Sequence, residues 1–126
     1  MENIKEYLLA KPFCKENFPF GEGVSVFKVN NKLFALLSLG KTNKDQPHTP
    51  ADWWLNLKCE PQEALMLRDI FPAIIPGYHM NKLHWNTVIL DGSVPQGEIE
   101  RMIDNSFNLV VSNLPKQQQV AIQLHL

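Results

Sequence analysis

The sequence predicts an α+β fold, a two-layer sandwich in which an antiparallel sheet carries its helices on one face. Three observations lead there. Segments rich in β-branched and aromatic residues, one of them strictly alternating, fill the first half of the chain. Segments with apolar residues at helical spacing open the chain and dominate its second half. Helices interrupt the strands, as they do when helices cover a small antiparallel sheet. With 126 residues the chain can build one hydrophobic core but not two, so positions 1–126 read as a single domain.

Ile4, Tyr7 and Leu8 fall at helical spacing in the first stretch. Pro12 ends that helix, because it disfavours helical geometry at Lys11 and has no N–H to donate. "PFCKENFPFGEG" reads as an irregular connection with room for one short strand before the turn at 19–23. "VSVFKV" and "KLFALLSL" are strands separated by Asn30 and Asn31, a pair that tolerates positive φ and so signals a hairpin. Residues 40–51 form a polar loop with two prolines. "DWWLNLKC" alternates strictly, with Trp53, Leu55, Leu57 and Cys59 on one face and Trp54, Asn56 and Lys58 on the other.

Pro61 and Glu63 open the next helix, whose apolar stripe is Ala64, Leu67 and Phe71. "PAIIPGYHMNK", bounded by prolines, reads as a turn-rich crossing, and "HWNTVILDG" as a strand stopped at Asp91-Gly92. Ser93 with Gln96 three residues on predicts a capping box. The helix it would open buries Ile99, Met102, Ile103, Phe107 and Val110. Leu114-Pro115 breaks that helix, and a short final helix runs through "KQQQVAIQL".

The formal net charge of −1 gives no basic surplus, so any nucleic-acid role must come from a local patch. Cys14 and Cys59 form no CxxC and no framework of spaced pairs. The first ten residues carry acids among their apolar positions, unlike a signal peptide, and no apolar run approaches bilayer length. The expectation is a cytoplasmic protein with reduced thiols and no membrane segment.

Reactive groups concentrate at residues 77–88, "GYHMNKLHWNTV". His79 and His84 are five residues apart, which fits neither the helical nor the strand spacing of a zinc pair, and His48, Cys14 and Cys59 would have to converge from elsewhere. No metal is expected. Cys59 lies where a strand feeds a helix, a place that can activate a thiol, yet its face is shared with Leu55 and Leu57, which argues for core. Ser93 lacks a nucleophile-elbow pattern, and no phosphate loop occurs. Neither catalytic residues nor a cofactor is expected. Trp85 is expected to be largely buried, because it opens a strand containing Val88 and Leu90. Lysines crowd the strand-rich half, and Trp54, Asn56 and Lys58 share a strand face. Aromatic and cationic groups interleaved on a sheet can hold nucleic-acid strands.

From His79 onward the motif becomes specific. His79-Met80-Asn81-Lys82, His84-Trp85 with Thr87-Val88, and Asp91-Gly92-Ser93 with Pro95 resemble the pattern of the MmcQ/YjbR family of small bacterial proteins. "PFG" at 19–21, "VFKV" at 26–29, "KLFAL" at 32–36 and "LKC" at 57–59 extend the resemblance over most of the chain. Trp53-Trp54 departs from the family pattern. The resemblance implies a helix, three strands, a helix, two strands and a helix, related to secretion-chaperone-like and frataxin-like shapes. It also implies DNA binding through a double-wing arrangement, with no reaction or cofactor.

The functional expectation is a monomeric, non-enzymatic DNA-binding domain that uses a strand-side basic patch. Lys28, Lys41, Lys44, Lys58, His79, Lys82 and His84 are its candidate DNA contacts. The alternative is a protein-binding adaptor or chaperone-like module; an enzyme or small-ligand carrier using the histidines ranks below both.

Overall fold

A computed structural model describes residues 2–40 and 52–126. The elements run α1 (Glu2–Leu9), β1 (Cys14–Asn17), β2 (Val24–Val29), β3 (Lys32–Leu39), β4 (Trp53–Lys58), α2 (Pro61–Ile70), β5 (Ile74–Pro76), β6 (Trp85–Ile89), α3 (Gln96–Ser112) and α4 (Lys116–Gln123). The strands form one antiparallel sheet in the order β1-β2-β3-β4-β6-β5. Four strands, not three, precede α2: the short strand in "PFCKENFPFGEG" is β1, paired along β2 from Cys14↔Val29 to Asn17↔Val26.

Local chemistry explains most of these boundaries. Asn30 and Asn31 adopt φ of 47° and 66°, the two left-handed positions that a two-residue hairpin loop between Val29 and Lys32 demands. Glu60 caps α2 by accepting from the backbone N–H groups of Gln62 (3.1 Å) and Glu63 (3.0 Å). Those two bonds hold its carboxyl below the usual range, the Glu63 contact most of all.

Two expectations change. The capping box at Ser93 does not form: α3 starts at Gln96, Pro95 occupies the N-cap position, and no side chain caps it. Asp91 instead takes both the Ser93 N–H (2.9 Å) and the Ser93 hydroxyl (2.6 Å), a local turn that competes with the helix cap. The crossing at "PAIIP" contains a true strand, β5, whose Pro76 is tolerated because β5 is an edge.

The core lies on one side of the sheet. Phe27, Phe34, Leu37, Leu55, Leu57 and Val88 are wholly or almost wholly buried there, against Ile4 and Leu8 of α1, Ala64 and Leu67 of α2, the Ile103–Phe107 stripe of α3 and Ile122 of α4. Arg68 of α2 donates from Nε to Asn86 Oδ1 (2.7 Å), while Asn86 donates to the Ala64 carbonyl (3.3 Å). Tyr7 donates to Asp104 (2.7 Å) and Lys11 pairs with the same carboxylate, fastening the α1 end of the chain to α3.

One buried hydroxyl joins the two layers. Between Phe27 and Lys28 the β2–β3 register shifts, and Phe34 and Ala35, though consecutive, are both buried. Ser106 of α3, fully buried, donates to the Phe34 carbonyl (2.6 Å) and accepts from the Lys58 N–H (2.9 Å). It bridges β3 and β4 just beyond their last pair, Ala35↔Leu57. Ser106→Ala leaves a buried donor and acceptor without partners, so a loss of about 1–3 kcal/mol is expected in urea unfolding. A variant as stable as the parent would show that the bridge contributes nothing.

Candidate functional site

The side of the sheet that faces away from the core carries no described helix. It is set by alternation with the buried positions: Lys15, Asn17, Val26, Lys28, Leu36, Ser38, Trp54, Asn56, Lys58, Trp85, Thr87 and Ile89. Its two halves differ.

Over β4 and β6 the chain folds back and covers the sheet. Gly77 donates to the Trp85 carbonyl (2.9 Å), and a Cβ there would lie 2.7 Å from the Trp85 Cβ, so only glycine permits this approach. Tyr78 then crosses the sheet. Its N–H reaches Thr87 Oγ1 (2.9 Å), and the Thr87 hydroxyl donates onward to Asn56 Oδ1. Asn56 and Thr87 are thus buried on the face where alternation alone implies exposure. The Tyr78 ring meets Trp54 edge-on (5.3 Å between centroids) and lies 4.0 Å from the His79 ring. Trp54 also packs against Gly40, where a Cβ would run into its indole.

Residues 80–84 turn toward α2. Asn81 Oδ1 accepts from the Leu83 N–H (2.9 Å), a local side-chain turn. Arg68 reaches the Lys82 carbonyl and, at 3.3 Å, the Trp85 carbonyl. The His84 carbonyl accepts from the Cys59 N–H (2.8 Å), which places His84 at the end of the sheet beside α2. Arg68 is the residue that sequence reasoning misses in this region. Its lone basic position on α2 gives no sign that its guanidinium holds the motif's backbone.

Over β1 and β2 the face carries two lysines, while Val26, opposite Asn17, is buried. Lys15 and Lys28 are direct cross-strand neighbours, and Lys28 in turn faces Leu33. Lys58 stands opposite Trp85 at the same end of the sheet. None of Lys15, Lys28 and Lys58 has an ion-pair partner among the described residues. Glu16, the lone carboxylate in the described strands, lies on the helix side and pairs with Lys5 at 3.1 Å. A depression of about 320 Å³ opens here, lined by Lys15, Asn17, Lys28, Asn30 and Asn31 along with Phe13 and Cys14.

The candidates therefore separate. Lys28 and Lys58 share the helix-free face, joined by Lys15, which sequence reasoning passes over because it sits in a stretch that looks irregular. His79 is exposed beside Tyr78 on the covered half, while Lys82 and His84 belong to the turn toward α2. Lys41 and Lys44 lie outside the described residues, as does His48. Trp85 is more buried than exposed, as expected, with Gly77 packed close against its Cβ. Among the described residues, no three of His, Cys, Asp and Glu gather closely enough to hold a metal ion. No described helix is long and apolar enough to cross a membrane.

Both cysteines are free, with Cys59 in the core and Cys14 half-buried. Burial, and secondarily Glu16, pushes the Cys14 thiol up to about 11. Burial, then Glu63 and Glu60, does the same to Cys59. A pKa raised by folding favours the neutral thiol. The associated stability is therefore present at neutral pH and is lost as pH climbs toward about 11. Alkylation of the native protein near neutral pH should run at least about tenfold slower than in the unfolded chain and accelerate with rising pH. Equal rates for native and unfolded protein would contradict this burial.

The YjbR family model matches residues 9–109. YbdF of Escherichia coli O157:H7 is 36% identical over 122 residues, covering 97% of this chain and 93% of that protein. YjbR of Escherichia coli K12 is 31% identical over 119 residues, covering 94% and 93%. The crystal structure of the Deinococcus radiodurans protein DR2400, a DUF419 domain, superposes with a TM-score of 0.81 at 30% identity, covering 97% of this chain and 86% of that one. A Pseudomonas syringae protein superposes with a TM-score of 0.73 at 31% identity, covering 86% and 97%. With matches of this extent in sequence and in fold, the chain belongs to the YjbR family.

Proposed function

We propose that this protein binds DNA through the sheet face that carries no helix, as a binding module with no catalytic step. The observation that supports this reading most directly is the charge on that face. Lys15, Lys28 and Lys58 lie there without a carboxylate among the described strand residues beside them. Like charges directly opposite one another in a sheet are destabilising, so the Lys15–Lys28 pair favours an external anion. A polyanion is the natural partner of such a face in a chain whose net charge is only −1.

A second reading rests on α2. Leu65, Met66 and Ile70 are more than half exposed on that helix, as is Leu83 in the neighbouring turn. Exposed apolar side chains on one element suit a protein-binding adaptor.

The readings separate by the salt dependence of binding. Anisotropy of labelled DNA should show an affinity that falls as salt rises. Lys28→Glu should weaken binding and flatten the log–log salt slope by about 0.7–0.9 for each phosphate that is no longer neutralised. Lys82→Glu should change it less, since its backbone is tied to the α2 side by Arg68. No salt-dependent binding by the parent protein at low ionic strength would remove the DNA reading and favour the adaptor.

A further inference from the structure

We infer that the DNA held on this face is single-stranded, with phosphates along Lys15, Lys28 and Lys58 and a base stacked at Trp85. The inference rests on the DNA-binding reading and adds the state of the strand. Three observations carry it.

First, Lys58 and Trp85 are direct cross-strand partners at the end of β4 and β6, and each keeps part of its side chain exposed beside the Gly77 return. A cation beside a partly exposed indole at sheet spacing is the pairing that holds a phosphate and its base together. Duplex DNA has its bases stacked on one another and offers none to Trp85.

Second, the surface is the wrong shape for a groove. A major groove about 12 Å wide admits one helix or a two-stranded ribbon. Neighbouring strands lie about 4.8 Å apart, so a face running from β1 across β4 to β6 is broader than that groove. No described helix projects from it. A flexible single strand can instead lie across the strands.

Third, the polar depression at the β1–β2 end continues the same row. Lys15 and Lys28 line it with Asn17 and Asn31, donors suited to phosphate oxygens, and with Asn30, whose amide donates to Gln118 Oε1 (3.2 Å). The depression has room for a phosphate group at about 320 Å³ and lies toward the Trp85 end of the sheet, because Lys28 faces Leu33, and Leu33 shares with Lys58 a cleft that Val110 and Asn113 at the end of α3 also line.

The test compares three labelled ligands of equal length: an oligothymidine strand, the same backbone lacking its bases, and a duplex. The oligothymidine should bind about tenfold tighter than the abasic strand, the scale of one base–aromatic stack. It should also bind tighter than the duplex and quench tryptophan fluorescence. Trp85→Leu should lose that margin, and Trp85→Phe should keep most of it; the ligand comparison on the parent protein stands even if either variant fails to fold. Equal affinity for the base-bearing and abasic strands would overturn the stacking inference. Duplex binding as tight as single-strand binding would overturn it while leaving the DNA reading intact. Failure of all three ligands at low salt would overturn both.

Discussion

The buried hydroxyl of Thr87 decides what the helix-free face of this protein can be. It accepts from the Tyr78 N–H and donates to Asn56, so one side chain ties the returning loop to two adjacent strands. An antiparallel sheet with helices on only one side can leave its other side to water or cover it with chain. Here the β4–β6 half is covered by Tyr78, which closes over Asn56 and Thr87 and meets Trp54 edge-on. A buried polar network of this kind is favourable only when its members are satisfied, and the Thr87 hydroxyl both donates and accepts.

Lys15, Lys28 and Lys58 alternate with the buried positions onto the face of the sheet away from the core. The described strands contain a lone carboxylate, Glu16, and α1 draws it to the helix side through Lys5. Acids of α2 and α3 are likewise occupied elsewhere. Glu63 and Glu98 both bind Arg101, and Asp104 takes Tyr7 and Lys11. These anions of a chain with nearly balanced charge are thus held on the helical layer, leaving the lysines of β1, β2 and β4 without carboxylates beside them on the sheet.

The histidine-rich motif has mainly an architectural part in this arrangement. Gly77 permits close approach to Trp85, Asn81 makes a local turn, and Arg68 grips the backbone at Lys82 and Trp85. Its density of polar groups reflects how many backbone atoms a tight return across a sheet must satisfy. Such a segment looks like an active site in sequence because turn residues and catalytic residues come from the same small set. Distances and burial distinguish them.

Sequence by itself determined the elements whose signals are local. Asn30-Asn31 specified the hairpin through its tolerance of positive φ, the alternation of residues 53–59 specified β4, and the Ile99–Val110 stripe specified α3. It also placed Cys59 in the core. Only the tertiary structure decided which partner each group would find. Ser93 carries a capping-box signature, but the nearer Asp91 takes it. Asn56 reads as solvent-facing by period two, yet a loop from beyond α2 buries it. Lys15 and Lys28 become neighbours only through the register of β1 on β2. Periodicity reports which side of an element a residue occupies; what covers that side depends on contacts between residues far apart in the chain, which no local pattern encodes.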